Sequence, residues 1–272
     1  MNVERRKFDS RPSSRDVLFT IACIVFVLAN LAAIGSTGRR RAKEAVCRSN
    51  LRQWAAIWHT FTNDNDGYFC DAGSLGWKSG AWILALRPRM ETRTNLLRCP
   101  EATRRPPTGA NYGGPFTTYV IGTGGFEDRR EEGSYGANLW IYNFLPGQTA
   151  IQGRPTKWNW RTPHVKGANS IPVFADTMWR GGGPSEVGTG GDPPAYDGEW
   201  SGYNKEMKHF CINRHNGAVN HLFMDSSVRK VGLKELWTLK WHREFNTAGP
   251  WTLAGGVLPR DWPDWMRDFK PY

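Results

Sequence analysis

Val17-Leu18-Phe19-Thr20-Ile21-Ala22-Cys23-Ile24-Val25-Phe26-Val27-Leu28-Ala29-Asn30-Leu31-Ala32-Ala33-Ile34 is a run of 18 residues without a charge, Thr20 and Asn30 being its most polar members. As a helix rising ~1.5 Å per residue it is roughly 27 Å long, about the hydrocarbon thickness of a bilayer. The run predicts a single membrane helix over 17–34, behind a basic leader at 1–16. It is long for the apolar part of a cleaved signal, so an uncleaved anchor is expected. Five Lys/Arg precede it and six follow closely, so charge does not orient it.

Outward from this run the chain changes character. Cys47, Leu51, Trp54, Trp58 and Phe61 recur at spacings of 4, 3, 4 and 3, which places them on one face of an amphipathic helix over 39–62. Gly35-Ser36-Thr37-Gly38 reads as a break before it, and Asn63-Asp64-Asn65-Asp66-Gly67 as the stop after it. The remainder, 63–272, reads as one head. Thirty Gly and seventeen Pro in 272 residues predict long loops and short strands. A small helix is expected at Ala81–Met90, with extended pieces at Thr117–Ile121 and Ile171–Ala175 and a surface loop over 181–202.

The strongest local signal lies at 207–231. Phe210, Ile212 and Arg214 alternate with His209, Cys211 and Asn213, and Asn216-Gly217 offers the turn favoured by two-residue hairpins. Val219–Met224 returns, Asp225-Ser226-Ser227 turns again and Val228–Val231 follows. This predicts a three-stranded antiparallel meander, followed by a helix through Leu233, Trp237, Trp241 and Phe245 and a terminal one at Trp262–Phe269. The fold class expected is α+β: a long N-terminal helix, membrane-spanning then amphipathic, packed on a head with a small antiparallel sheet.

Composition limits function. Apolar residues make up 39%, too few for a polytopic membrane protein, and 13% aromatics exclude a disordered chain. The net charge of +11 is uneven: residues 1–60 carry +7 of it. The basic excess beside the apolar run is explained by lipid headgroups, and no specific nucleic-acid binding is expected. Cys23 falls in the apolar run. Cys47, Cys70, Cys99 and Cys211 are an even set compatible with two disulfides outside the cytoplasm, Cys70 with Cys99 being preferred among three possible pairings. No Cys/His spacing of a zinc module occurs, so no metal site is expected. Asp192, Asp197 and Glu199, with Glu186, are weak loop candidates for calcium. In the predicted hairpin His215 and Asp225 lie about 20 Å apart at ~3.3 Å per residue, so the crowded His209, Cys211, His215, His221 and Asp225 read as structural. No catalytic motif stands out, and no cofactor is expected.

Four further stretches stand out: Arg40 to Gln53, which contains Cys47, Asn50 and Leu51; Arg98-Cys99-Pro100; Ser134-Tyr135-Gly136-Ala137-Asn138; and Arg214-His215-Asn216-Gly217 through Asp225. Taken together they resemble type IV pilin-like and type II secretion pseudopilin-like proteins of planctomycete-type bacteria, the last stretch being similar to that group's H-x9-D-G motif. Two features depart from the pattern: no Gly precedes Val17, where the prepilin processing site belongs, and Ser226 stands in place of the motif's final Gly. The resemblance implies a lollipop-shaped, non-enzymatic subunit in the bacterial inner membrane, with its head in the periplasm or outside. Its partners would be the bilayer, sister subunits and secretion apparatus components. In this reading His215 and Asp225 tie the turns of the meander by bonding local backbone amides. The alternative is a tethered module that binds polysaccharide through exposed Trp158, Trp160, Trp179 and Trp200.

Overall fold

In the computed structural model the described residues are 13–72, 80–90, 94–121, 131–186, 191–200, 202–203 and 205–272. Two compact units are present, residues 1–42 and 43–272. Helix α1 spans Ser14–Asn63. The expected break at Gly35–Gly38 does not occur, because glycine inside a helix costs only about 1 kcal/mol and does not forbid it. The predicted membrane span is also corrected. Among the described residues no helix is long and apolar enough to cross a membrane. This finding covers the apolar run as far as Ala29, the last residue before the undescribed side chains. The membrane-anchored lollipop and the single-pass inner-membrane placement fall with the predicted span. The side chains of residues 30–34, Ile34 included, and the leader at 1–12 lie outside the described residues.

In the larger unit the stripe Cys47, Leu51, Trp54, Trp58 and Phe61 is the buried face of α1, while Arg52 and Gln53 are exposed. The helix ends where Asp66 and Gly67 turn left-handed (φ 53° and 80°) and the Gly67 N–H reaches back to Thr62 O at 2.8 Å. Helix α2 spans Ala81–Met90.

The strands are β1 Tyr119–Val120, β2 Glu132–Gly133, β3 Tyr135–Asn138, β4 Ala150–Ile151, β5 Arg154–Pro155, β6 Pro172–Asp176, β7 Gly181–Gly182, β8 Ala218–Phe223 and β9 Val228–Gly232. Strands β1–β2 and β4–β5 form separate two-stranded pairs. The main sheet has five strands in the order β7-β3-β6-β8-β9, antiparallel except for the parallel β3–β7 pair. The core between α1 and the sheet is aromatic. Trp54, Trp82 and Phe174 bring their ring centroids within 4.7–5.3 Å of one another, distances at which tilted and edge-on pairs are favourable.

The meander is corrected too. Strands β8 and β9 pair as a hairpin, Ala218 opposite Gly232 and Leu222 opposite Val228. Residues 209–214, however, form no strand. Glu206–His209 is a 3-10 helix, and Phe210 and Cys211 donate back to Met207 O at 3.1 Å. The alternation there misleads because residues on both faces, from Glu206 to Ile212, are buried. The other neighbour of β8 is β6, supplied from far upstream, so the sheet is larger and mixed. The expected helix after β9 is a 3-10 turn at Leu233–Thr238, and the terminal one reduces to 3-10 turns at Pro259–Asp261 and Asp264–Met266.

Candidate functional site

Four segments far apart in sequence meet under α1. Cys47 projects from the buried face of the helix, Cys99 follows the 3-10 turn Thr94–Leu97, Asp176 ends β6 and His215 precedes the turn into β8. One ligand atom from each lies within 4.8 Å of all the others, and all four residues are buried. His215 Nε2 is 3.0 Å from Asp176 Oδ2. Cys47 Sγ lies 3.4 Å from Oδ2 and 3.6 Å from Oδ1 of the same carboxylate, and Cys99 Sγ is 3.5 Å from His215 Nε2.

Local structure explains each position. Asn216 and Gly217 take positive φ (53° and 76°) and His215 N–H donates to Ala218 O at 2.9 Å, so the turn aims the preceding imidazole inward. Cys99 is held by its own N–H, which donates to Ser134 Oγ at 2.6 Å. Asp176 is fixed from two sides: Arg214 Nη1 donates to Oδ1 at 3.1 Å and the Asn220 backbone N–H to Oδ2 at 2.9 Å. Arg214 spends its remaining donors on the carbonyls of Gly114, Pro115, Ser134 and Thr177. Cys47 Sγ accepts from Tyr135 OH and from Asn220 Nδ2, each at 3.3 Å.

The charges are strongly coupled. Burial alone would raise the Asp176 carboxyl, but His215 and Arg214 outweigh it and hold the group well below the usual carboxylate range. Burial would lower His215; Asp176 and then Cys99 reverse this and lift it to about 10. Against burial, the hydrogen bond with Cys47 and the neighbouring His215 and Arg214 bring Cys99 down to about 7. Cys47 is pushed well up by burial, Cys99 and Asp176. The geometry sets the Cys47 thiol toward the Asp176 carboxylate and Cys99 Sγ beside His215 Nε2. Two thiols, an imidazole and a carboxylate at these distances are also a four-donor set for a soft divalent ion.

The residues singled out from sequence divide sharply. Cys47, Asn50, Cys99, Ser134, Tyr135 and His215 all gather here, Asn50 Nδ2 bridging Arg98 O at 3.2 Å and Tyr135 OH at 3.5 Å. Gly136 lets β3 cross against residues 177–180, where a Cβ would lie 2.6 Å from Trp179 O. His215 does not bond the amides of its own turn, because Asp176 takes its Nε2. Asp225 lies elsewhere, exposed, its Oδ1 accepting from Ser227 N and Oγ at 3.0 and 2.6 Å. The preferred Cys70–Cys99 disulfide is corrected: all five cysteines are free, Cys99 faces Cys47 and His215, and Cys211 Sγ sits 3.9 Å from Met266 Sδ. Buried Cys70 is pushed up to about 12 by burial.

The calcium candidates do not converge among the described residues. Asp192 pairs with Lys205 at 3.8 Å, Glu199 with Lys208 at 2.6 Å, Asp197 accepts from the Asn213 N–H, and Glu186 pairs with His242. Nor do the tryptophans form a platform. Trp160 and Trp179 are buried, Trp158 stacks on His242 at 4.6 Å, and Trp200 stacks on Tyr112 and His209 at 4.7 and 4.9 Å.

Of the pair at the middle of the network, Arg214 opens the stretch that runs through His215 to Asp225, whereas Asp176 belongs to no motif in the sequence. The available signal was a lone carboxylate closing the apolar strand Val173-Phe174-Ala175-Asp176, where an acid has to find a partner. Comparisons with protein-family models, curated proteins and solved structures gave no match.

Proposed function

We propose that this chain is a non-enzymatic, pilin-like subunit that assembles with sister copies through the apolar N-terminal half of α1. The observation that carries this reading is the helix surface from Val17 to Leu28, whose large apolar side chains are almost all exposed, Phe19 by 72% and Phe26 by 70%. A contiguous apolar surface of this kind is unstable in water and needs another apolar surface to cover it. Equivalent helices of sister copies offer one of the same length and chemistry. The inward-facing centre supports the non-enzymatic part: its thiols, imidazole and carboxylate are buried and already bonded to one another, where a substrate has no access.

Sedimentation of the full-length chain tests this. Wild type is expected to self-associate at micromolar concentration, and the double variant Phe19→Glu/Phe26→Glu to sediment as a monomer with unchanged far-UV circular dichroism. A monomeric wild type, or an equally associated variant, refutes the reading.

A further inference from the structure

We propose that Cys47, Cys99, Asp176 and His215 form a closed, structural zinc site that fastens α1 to the main sheet. The argument rests on geometry first. In a tetrahedral zinc shell with ordinary bond lengths, sulfur lies about 3.6 Å from nitrogen or oxygen, and nitrogen about 3.4 Å from oxygen. The sulfur–oxygen approaches of Cys47 and Asp176 are 3.4 and 3.6 Å, the sulfur–nitrogen approach of Cys99 and His215 is 3.5 Å, and the nitrogen–oxygen approach of His215 and Asp176 is 3.0 Å. All four donors fall within 4.8 Å of one another. Three edges of such a shell are thus present to within about 0.4 Å, and the other three pairs lie within 4.8 Å.

The surroundings fit a bound cation. Metal ligation requires both cysteines as thiolates and His215 neutral. Together with Asp176 that places three negative charges in a buried volume, balanced by the doubly charged ion and the Arg214 guanidinium on Asp176 Oδ1. The hydroxyl of Tyr135 and the amide of Asn220 both donate to Cys47 Sγ. A neutral thiol, a weak acceptor, has little use for two donors, whereas a metal-bound thiolate is steadied by them. The carboxylate, likewise, is oriented by Arg214 and by the Asn220 N–H.

The donor types select the ion. Two thiolates and an imidazole favour zinc over calcium or magnesium, and a four-ligand set drawn entirely from the protein leaves no open position for water or substrate. The site joins positions 47, 99, 176 and 215, so the ion closes three long loops at once. This is the arrangement in which a crosslink stabilises most.

The test uses the full-length chain, purified without added chelator and then exchanged into metal-free buffer. Elemental analysis should find about one zinc per chain. Replacement by cobalt should give intense visible d–d bands and a near-ultraviolet thiolate-to-cobalt band, and a strong chelator should lower the melting midpoint reversibly. Cys47→Ser should lose the metal. Because that variant could also fail to fold, Cys99→His provides a second reading: it keeps four donors and should halve the thiolate-to-cobalt intensity. Cys70→Ser and Cys211→Ser should retain a full equivalent. The proposal is overturned if the reduced chain binds less than a tenth of an equivalent from excess zinc. A Cys47–Cys99 disulfide in the chain as isolated, or a cobalt spectrum unchanged by Cys99→His, overturns it equally.

Discussion

Two groups of carboxylates and their neighbours invite comparison: the buried centre around Asp176 and the loop bearing Asp192, Asp197 and Glu199. In sequence the loop is the more suggestive, with three acids inside eight residues. In space those acids disperse to Lys205, the Asn213 amide and Lys208. The centre draws its donors from positions spread over 168 residues and brings them within 4.8 Å. Crowding along the chain therefore says little about a shared ligand shell; what matters is which elements the core forces together.

Breaking the comparison at its strongest point should have the largest effect. Asp176→Ala leaves the buried Arg214 and His215 without their counter-charge, a change that typically costs about 3–5 kcal/mol. Urea denaturation is expected to show at least that loss, and a loss under ~1 kcal/mol would mean that the network is dispensable.

A second contrast sharpens the first. His221 lies on the same sheet as the centre, opposite Ala175, but its ring sits among Phe210, Phe223 and Trp241. Burial lowers its pKa to about 3, Arg229 adds to the lowering, and Asp176 offsets it only in part. A base with a depressed folded pKa takes up its proton mainly in the unfolded state, so stability falls as pH drops from about 6.5 toward 3. At pH 4 the penalty relative to neutral pH is on the order of 3 kcal/mol. His221→Phe should remove most of that acid sensitivity in denaturation curves at pH 7 and pH 4. If both proteins keep the same pH slope, another group is responsible.

Smaller effects refine the picture. Tyr135→Phe deletes one of two donors to Cys47 and should cost about 1 kcal/mol; an effect as large as that of Asp176→Ala would give the hydroxyl a greater part than its geometry implies. Asp192→Ala removes only a half-exposed pair with Lys205. Its effect should stay within ~0.5 kcal/mol, and a larger loss would show that the loop is more than a solvated surface.

The turn at Asp225-Ser226-Ser227 shows how far local reading carries. Ser226 adopts φ 65° where a glycine would be easiest, and Asp225 supports the turn through Ser227. Both features follow from a short stretch of chain, so both were open to inspection in the residues themselves. The Asn216-Gly217 turn was equally legible, as was the buried face of α1 from its 4, 3, 4, 3 spacing. The strand expected at 209–214 failed because its alternation did not correspond to one wet and one dry face. The membrane helix was expected from the length of the uncharged run, a property that says a surface must be covered but not by what.

From the residues alone, then, came the periodicity of α1, the two turns around β8 and the apolar character of Val17–Leu28. Each depends on backbone preference or on side chains within a few positions of one another. Tertiary structure alone decided that β6 lies beside β8, that Asp176 and Arg214 meet, and that Cys99 pairs its surroundings with Cys47 instead of Cys70. Those outcomes depend on how the aromatic core around Trp54, Trp82 and Phe174 packs α1 and α2 on the sheet, and packing couples residues across the whole chain at distances no local pattern records.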